Sequence, residues 1–152
     1  QLKKSDVSQS DTGIYYFNMR RGEGQSIKTD ASLRHTPVPQ HVIELGFISY
    51  VESSSDVLFP EIPADKYGRQ ASAFTKWWHR VMDNRGVKNK QPTHAFRHSF
   101  KTSMRSLEIA DTVSDAITGH APKTEGERYG TVTLETKQKS IDRLPRLDLV
   151  RL

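Results

Sequence analysis

The hydrophobic and polar positions along the chain divide it into a β-prone beginning and a helical remainder. Short aromatic or β-branched runs at residues 14–19, 26–29 and 34–39 are separated by turn-forming residues, which is typical of strands. Prolines in the last run suit a strand end or the edge of a sheet. We therefore predict a small three-stranded antiparallel sheet over about residues 13–39.

From about residue 40 the apolar positions recur at helical spacing. The predicted helices span residues 40–45, 68–87, 93–107, 110–118 and 134–144. Glycine or proline stands close to the end of most of these segments, where helices usually stop. Thr93 is expected to cap the helix that follows it. The expected fold class is α+β and mainly α-helical, in a single domain 1–152 with a helical core over about residues 40–130 and a C-terminal tail, 131–152.

Three further expectations concern the structure and burial of individual segments. Residues 1–7 are interpreted as the end of a helix, as if the chain were a piece of something longer. Residues 51–65 contain three consecutive serines and two prolines, so they are predicted to form a surface loop with Leu58 and Phe59 turned inward. The adjacent tryptophans at positions 77 and 78 are expected to lie in the core, not to stack on nucleic-acid bases.

The composition fits a folded protein and excludes several classes. The chain has 152 residues, of which 34% are hydrophobic and 27% charged. No apolar run approaches the roughly 20 residues of a membrane span, and no signal peptide opens the sequence, so a cytoplasmic location is expected. Cysteine is absent, which excludes disulfides, thiolate metal sites and a cysteine nucleophile.

Positive charge is concentrated in one part of the chain, whose net charge is +5. Residues 40–65 contain five acidic residues and no Lys or Arg, whereas residues 66–108 contain ten Lys or Arg against two acidic residues. Such a concentration could meet several nucleic-acid phosphates and would make binding depend steeply on salt. A solvated helix face is the alternative explanation of the same charges.

Three short motifs follow in order in the second half of the chain. They are His94-x-x-Arg97, then Gly119-His120, then Tyr129 nine residues beyond that histidine. In this order and spacing they resemble the pattern of the tyrosine recombinases, the phage integrase family. Ile27-Lys28-Thr29 and the run that begins at Arg34 are similar to the family's β-hairpin lysine and the strand after it. The resemblance extends from Leu2 to about Leu144.

The resemblance implies the catalytic-domain fold of that family and a chemistry based on a tyrosine. Tyr129 would be the nucleophile that forms a 3′-phosphotyrosine link to DNA. This link conserves the energy of the phosphodiester for religation, so ATP is not required. Arg97 would bind the nonbridging phosphate oxygens through its planar guanidinium.

The resemblance also implies roles for the other polar residues of the motifs. His94 and His120 would hold a phosphate oxygen or transfer a proton. Lys28 would protonate the leaving 5′-hydroxyl, and the competing candidates for that role are Lys3, Lys4 and Arg34. His98 follows His94 at a spacing that metal sites use, but a third ligand is missing and the family has a buried supporting histidine there. Neither a metal nor a cofactor is expected.

The match departs from the family at its N-terminal side. The family has a first catalytic arginine in a helix just upstream of the pattern that residues 2–7 resemble, and here that arginine would precede Gln1. One such donor contributes about 10² to 10³ in rate. We therefore expect a partial catalytic domain that folds but is nearly inactive in isolation.

The function implied is site-specific DNA recombination, as in the integration or excision of a phage or mobile element. The expected partners are double-stranded attachment sites, further copies of the chain in a tetramer on DNA, and DNA-bending accessory proteins, in the bacterial cytoplasm or nucleoid and away from membranes. Three alternatives stay open: an inactive DNA-binding integrase remnant, a type IB topoisomerase, and a basic nucleic-acid module without chemistry. The tail from Leu134 to Leu152 is expected to pack either on a neighbouring protomer or on its own domain.

Overall fold

A computed structural model of the chain describes residues 2–22, 30–68, 70–87, 92–121, 124 and 130–146. Within these residues the fold is α+β, with one three-stranded antiparallel sheet and six helices. The strands are β1 (Val7–Gln9), β2 (Tyr15–Met19) and β3 (Arg34–Pro37). The helices are α1 (Gln40–Glu44), α2 (Phe47–Ser53), α3 (Ala71–Asn84), α4 (Pro92–Ser106), α5 (Asp111–Thr118) and α6 (Leu134–Ile141).

The sheet has the predicted number of strands and direction, but its strands differ from the predicted set. The central strand β2 pairs with β1 on one side and β3 on the other, with Phe17 opposite Val7 and Thr36. The predicted strand at 26–29 lies outside the described residues. The sheet therefore begins at residue 7, before the predicted start at residue 13.

The first residues do not form the end of a helix, which corrects the sequence interpretation. Residues 4–6 make a single 3-10 turn. The buried Asp6 carboxylate accepts a hydrogen bond from the Lys3 backbone N–H at 2.9 Å and pairs with the Arg20 guanidinium at 3.2 Å. Because this turn leaves the backbone extended at Val7, the chain continues directly as β1.

The segment after α1 is more helical than predicted. Gly46 adopts a left-handed conformation with φ of 91°, and α2 follows immediately, so the first part of the predicted 51–65 loop is helix. Leu58 is fully buried, as expected, and its carbonyl accepts a hydrogen bond from the Tyr50 hydroxyl at 2.7 Å. Phe59 is 37% exposed, so only one of the two apolar side chains is turned fully inward.

The expectation of a tryptophan pair in the core is wrong. Trp77 is 49% exposed, and no described residue of α3 is buried. The α3 aromatics contact each other and Phe96 of α4, whose ring centroid lies 5.2 Å from that of Trp78. Helix α4 begins at Pro92, a residue that suits the first position of a helix, so Thr93 lies within the helix and not at the position before it.

The main described core joins the last three helices. Met104, Ile109, Ile117 and Ile141 form one buried cluster, against which Phe100, Leu107, Val113 and Leu144 pack. Since α6 supplies Ile141, the described part of the C-terminal tail packs on its own chain. Among the described residues no helix is both long and apolar enough to cross a membrane.

Candidate functional site

The first turns of α4 present the His94-x-x-Arg97 motif on an exposed surface. His94 and Arg97 are three residues apart and both are exposed, so they share one face of the helix. His98 is also exposed, which differs from the buried supporting histidine that the resemblance implies. The physical reason is that the apolar face of α4 is made by Phe100 and Met104, and it turns toward α5 and α6.

The Gly119-His120 motif lies at the C-terminal end of α5. Gly119 has a φ of 74° and ends the helix in a left-handed conformation, which glycine adopts without the steric cost that other residues meet. The Arg97 guanidinium donates a hydrogen bond to the carbonyl oxygen of Thr118, 21 residues away in sequence. The fold thereby places Arg97 against the residue that immediately precedes the Gly119-His120 motif.

The His120 ring is held by two side chains of α5. Its Nδ1 atom lies 2.7 Å from the Thr118 hydroxyl oxygen and 3.2 Å from a carboxylate oxygen of Asp115. The same Asp115 oxygen lies 2.5 Å from the Lys101 ammonium of α4. These two described contacts both lie on the Nδ1 edge of the ring and help to orient the histidine.

Arg34, at the start of β3, reaches the same end of α5. Its Nε donates to the Ile117 carbonyl at 2.8 Å, next to the carbonyl that Arg97 binds. Burial, and then the neighbouring positive charge of Arg97, lower the pKa of Arg34. Lys3 and Lys4 bind elsewhere: they contact, respectively, the Asp56 carboxylate and the Glu52 and Ser54 carbonyls.

Lys137 of α6 adds a third positive charge to this region. It is buried, and its Nζ donates to the His35 carbonyl at 3.1 Å. Burial, followed by the charge of Arg34, lowers its pKa. We call Arg34, Arg97 and Lys137 the cation cluster.

No described carboxylate neutralises the cation cluster. Among the described residues no carboxylate forms an ion pair with any of its three members, whereas Lys101 and Arg105 of α4 are paired with Asp115 and Asp111. The carbonyls at the C-terminal end of α5 partly compensate the cluster, because that end of a helix carries a partial negative charge. Two adjacent guanidinium groups that no described carboxylate pairs with form a suitable site for an anion.

Two of the predicted catalytic residues cannot be placed. Lys28 and Tyr129 lie outside the described residues. Of the other predicted residues, Arg97 contacts the end of α5, two residues before His120. His94 lies on the same face of α4 as Arg97. The described residues contain no group of three or more His, Asp or Glu side chains that could hold a metal ion.

Sequence reasoning missed two residues that the structure adds to this region. Lys137 has no local sequence signal that distinguishes it from Lys139, because its position depends on the packing of α6 against β3. Asp115 carried a signal: it lies near the end of a predicted helix that leads into Gly119-His120. Arg34 was considered only as a substitute for Lys28.

The site that these contacts define joins β3, α4, α5 and α6 around the C-terminal end of α5. Its described polar side chains are the cation cluster, His94, His120 and the Asp115–Lys101 pair. These groups can bind an anion, orient an imidazole and move a proton. No protein-family model matches this chain, and neither does any curated protein or solved structure.

Proposed function

We propose that the chain is the catalytic region of a tyrosine recombinase, which performs site-specific DNA recombination. The observation that carries the proposal is the hydrogen bond from Arg97 to the Thr118 carbonyl. This contact ties the His-x-x-Arg motif to the residue just before the Gly-His motif, which supports the proposal that the two sequence signals belong to one site.

The chemistry proposed is the transfer of a DNA phosphodiester to a tyrosine. The Tyr129 phenolic oxygen attacks phosphorus, the bond from phosphorus to the 5′-oxygen breaks, and the 5′-oxygen takes a proton from Lys28. Arg97 binds the nonbridging oxygens of the phosphate as negative charge develops there. His94 and His120 bind a phosphate oxygen or transfer the proton that Tyr129 loses.

The charge of the site supports a phosphate as its ligand. Arg34 and Arg97 donate to neighbouring carbonyls, and no described carboxylate pairs with either. A phosphate brings the negative charge that this arrangement lacks. Binding to duplex DNA should therefore weaken steeply as salt rises, because phosphate contacts release counterions.

The proposed partners follow from the chemistry of exchange between two DNA molecules. Each exchange cuts and rejoins two duplexes, which requires four nucleophilic tyrosines and hence a tetramer on paired double-stranded sites. DNA-bending proteins would assist the pairing of such sites. Reversal of the same step, by attack of a new 5′-hydroxyl on the phosphotyrosine, rejoins the strand and releases Tyr129.

The proposal is tested by covalent capture of DNA. The full-length protein is incubated with nicked genomic DNA, from which a short strand diffuses away after cleavage and leaves the covalent product trapped. We expect an adduct that survives denaturation with the wild-type protein and with Tyr67→Phe, which alters an exposed tyrosine. Tyr129→Phe should yield none, and an adduct that persists in this variant would remove Tyr129 from the mechanism.

A further inference from the structure

The orientation of His120 depends on a short network at the end of α5. The imidazole follows Gly119, and its Nδ1 faces back toward the helix, 2.7 Å from the Thr118 hydroxyl and 3.2 Å from the Asp115 carboxylate. Both partners therefore lie on the Nδ1 edge of the ring. A histidine in a reaction centre needs such partners, since they decide which ring nitrogen carries the proton.

The Thr118 hydroxyl fixes the direction of the first contact. A threonine hydroxyl has one proton to donate and lone pairs with which to accept. That proton is directed at the Ser114 carbonyl, 2.7 Å away, a usual bond for threonine in a helix. With that proton given to Ser114, the Thr118 oxygen accepts, and its contact with Nδ1 at 2.7 Å favours a hydrogen on that nitrogen.

Asp115 supplies a second acceptor on the same edge. An ionised carboxylate only accepts hydrogen bonds, so the approach of Asp115 to Nδ1 also favours a proton on that nitrogen. Asp115 is in turn held by Lys101 at 2.5 Å, and the two side chains are only 15% and 18% exposed. Arg105 also acts electrostatically on Asp115, across the same α4–α5 contact.

We propose that Asp115 is a positioning residue that, with Thr118, fixes His120 as its Nδ1–H tautomer and directs Nε2 toward the DNA phosphate. Nε2 is then the nitrogen that accepts or donates the proton in the reaction, and Lys101 holds Asp115 in place from α4. The part of this inference that concerns DNA rests on the proposed function. The tautomer itself does not.

The tautomer is measured first, without DNA. Long-range proton–nitrogen NMR spectra of the 15N-labelled protein report which ring nitrogen of each neutral histidine is protonated, and the His120→Gln variant identifies the signals of His120. We expect the Nδ1–H form in the wild-type protein. A neutral His120 with its proton on Nε2 would overturn the proposal.

Variants then distinguish two roles of the Asp115–Lys101 pair, which are to position His120 or simply to hold α4 against α5. Asp115→Ala combined with Lys101→Met removes both members of the ion pair, so no unpaired charge is left behind. The matched control is Asp111→Ala combined with Arg105→Met, which removes the other ion pair between the same helices. We expect a mixture of His120 tautomers in the first variant and mainly the Nδ1–H form in the control, because Asp115 keeps its contact with Lys101 there even without Arg105.

The kinetic consequence is measured as the rate of covalent adduct formation on nicked DNA. The Asp115 and Lys101 double variant should be slower by about 10- to 100-fold, as for the loss of other partners that orient a functional histidine. Asp115→Glu, which keeps the carboxylate, should recover part of that rate. Equal rates in the double variant and the Asp111 control would refute the positioning role.

The two proposals fail in different ways. If the wild-type protein forms no adduct, the recombinase function is wrong, while the NMR spectra still decide whether Asp115 and Thr118 fix the tautomer. If the wild type forms an adduct and the tautomer does not depend on Asp115, the function stands and the inference about Asp115 is wrong.

Discussion

The two halves of α4 have opposite environments although they belong to one continuous helix. In the C-terminal half, Met104 is fully buried and Phe100 packs against the core cluster of α5 and α6. In the N-terminal half, Phe96 is 59% exposed, and His94 and Arg97 are exposed as well. The C-terminal half holds the fold together, and the N-terminal half carries the candidate chemistry.

The difference in burial between the two halves indicates how α4 can present Arg97 at the surface while its other half stays in the core. The buried half anchors α4 against α5, and the rigid helix carries Arg97 to the Thr118 carbonyl. Substitutions in the two halves should therefore have separable effects. Those in the buried half lower the free energy of unfolding, and those in the exposed half lower the rate of reaction.

The largest effect on stability is expected at Met104. Met104→Ala removes a fully buried side chain from the cluster shared by three helices and should lower the free energy of unfolding by about 2–5 kcal/mol. Urea unfolding followed by circular dichroism measures this difference. A loss below about 1 kcal/mol would show that the helices pack more loosely than the contacts indicate.

The largest effect on activity is expected at Arg97. Arg97→Gln removes the charge that we propose binds the phosphate and should slow covalent adduct formation by about 10² to 10³, typical of one lost donor to a developing oxyanion. Its free energy of unfolding should stay within about 0.5 kcal/mol of the wild-type value, since the side chain is exposed. The measurement is single-turnover adduct formation on nicked DNA.

Arg80 offers the control for that measurement. It is an exposed arginine in the middle of α3, so Arg80→Gln makes the same change of charge on a helix surface. If the two variants slowed adduct formation equally, Arg97 would act through net charge and not through contact with the phosphate.

A smaller effect on stability is expected at Phe96. Phe96→Ala loses the ring contact with Trp78 at 5.2 Å, but more than half of the Phe96 side chain is already in solvent. The free energy of unfolding should fall by only about 1 kcal/mol. A loss as large as that of Met104→Ala in the same urea experiment would contradict the division of α4 into a buried and an exposed half.

The smallest effect concerns Lys137 and appears only at high pH. Because folding lowers the pKa of Lys137 from its ordinary 10.5, the folded chain releases this proton at a lower pH than the unfolded chain. The unfolded state then binds more protons over the interval just below 10.5, and stability rises with pH there. The Lys137→Met variant should not show this rise of the free energy of unfolding with pH.

The Lys137 prediction is checked by urea unfolding of wild type and variant at neutral pH and at about pH 10, near the ordinary lysine pKa. The wild type should gain stability relative to Lys137→Met on going to the higher pH. Lys139→Met alters an exposed lysine of the same helix and should follow the wild type. A constant difference between wild type and Lys137→Met at both pH values would mean that burial does not perturb this lysine.

Much of the helical fold could be predicted because it depends on local patterns. The apolar spacing before Gly86 and Gly119 predicted α3 and α5, whose bounds the structure confirms to within a few residues. Strand β1 could not be predicted in this way, since it depends on pairing with β2, which the local sequence does not reveal. The prediction for the tryptophan pair was wrong for a related reason. The spacing of apolar residues shows that one face of a helix is apolar, but not whether another element covers that face.

Part of the candidate site could also be predicted, because its motifs are local sequence patterns. The two motifs carry their own spacing, and the bond between Arg97 and Thr118 joins them. The roles of Lys137 and Asp115 depend on how α6 and α4 pack, which local sequence does not reveal. The roles of Lys28 and Tyr129 remain predictions from the sequence motifs.

The most direct test of the central claim is to identify the atom to which DNA becomes attached. The adduct formed by the full-length protein on nicked genomic DNA is digested with protease and nuclease, and the modified peptide is sequenced by mass spectrometry. The proposed mechanism predicts a nucleotide joined through its 3′-phosphate to the Tyr129 oxygen. Attachment to another residue, attachment through a 5′-phosphate, or the absence of any adduct would contradict it.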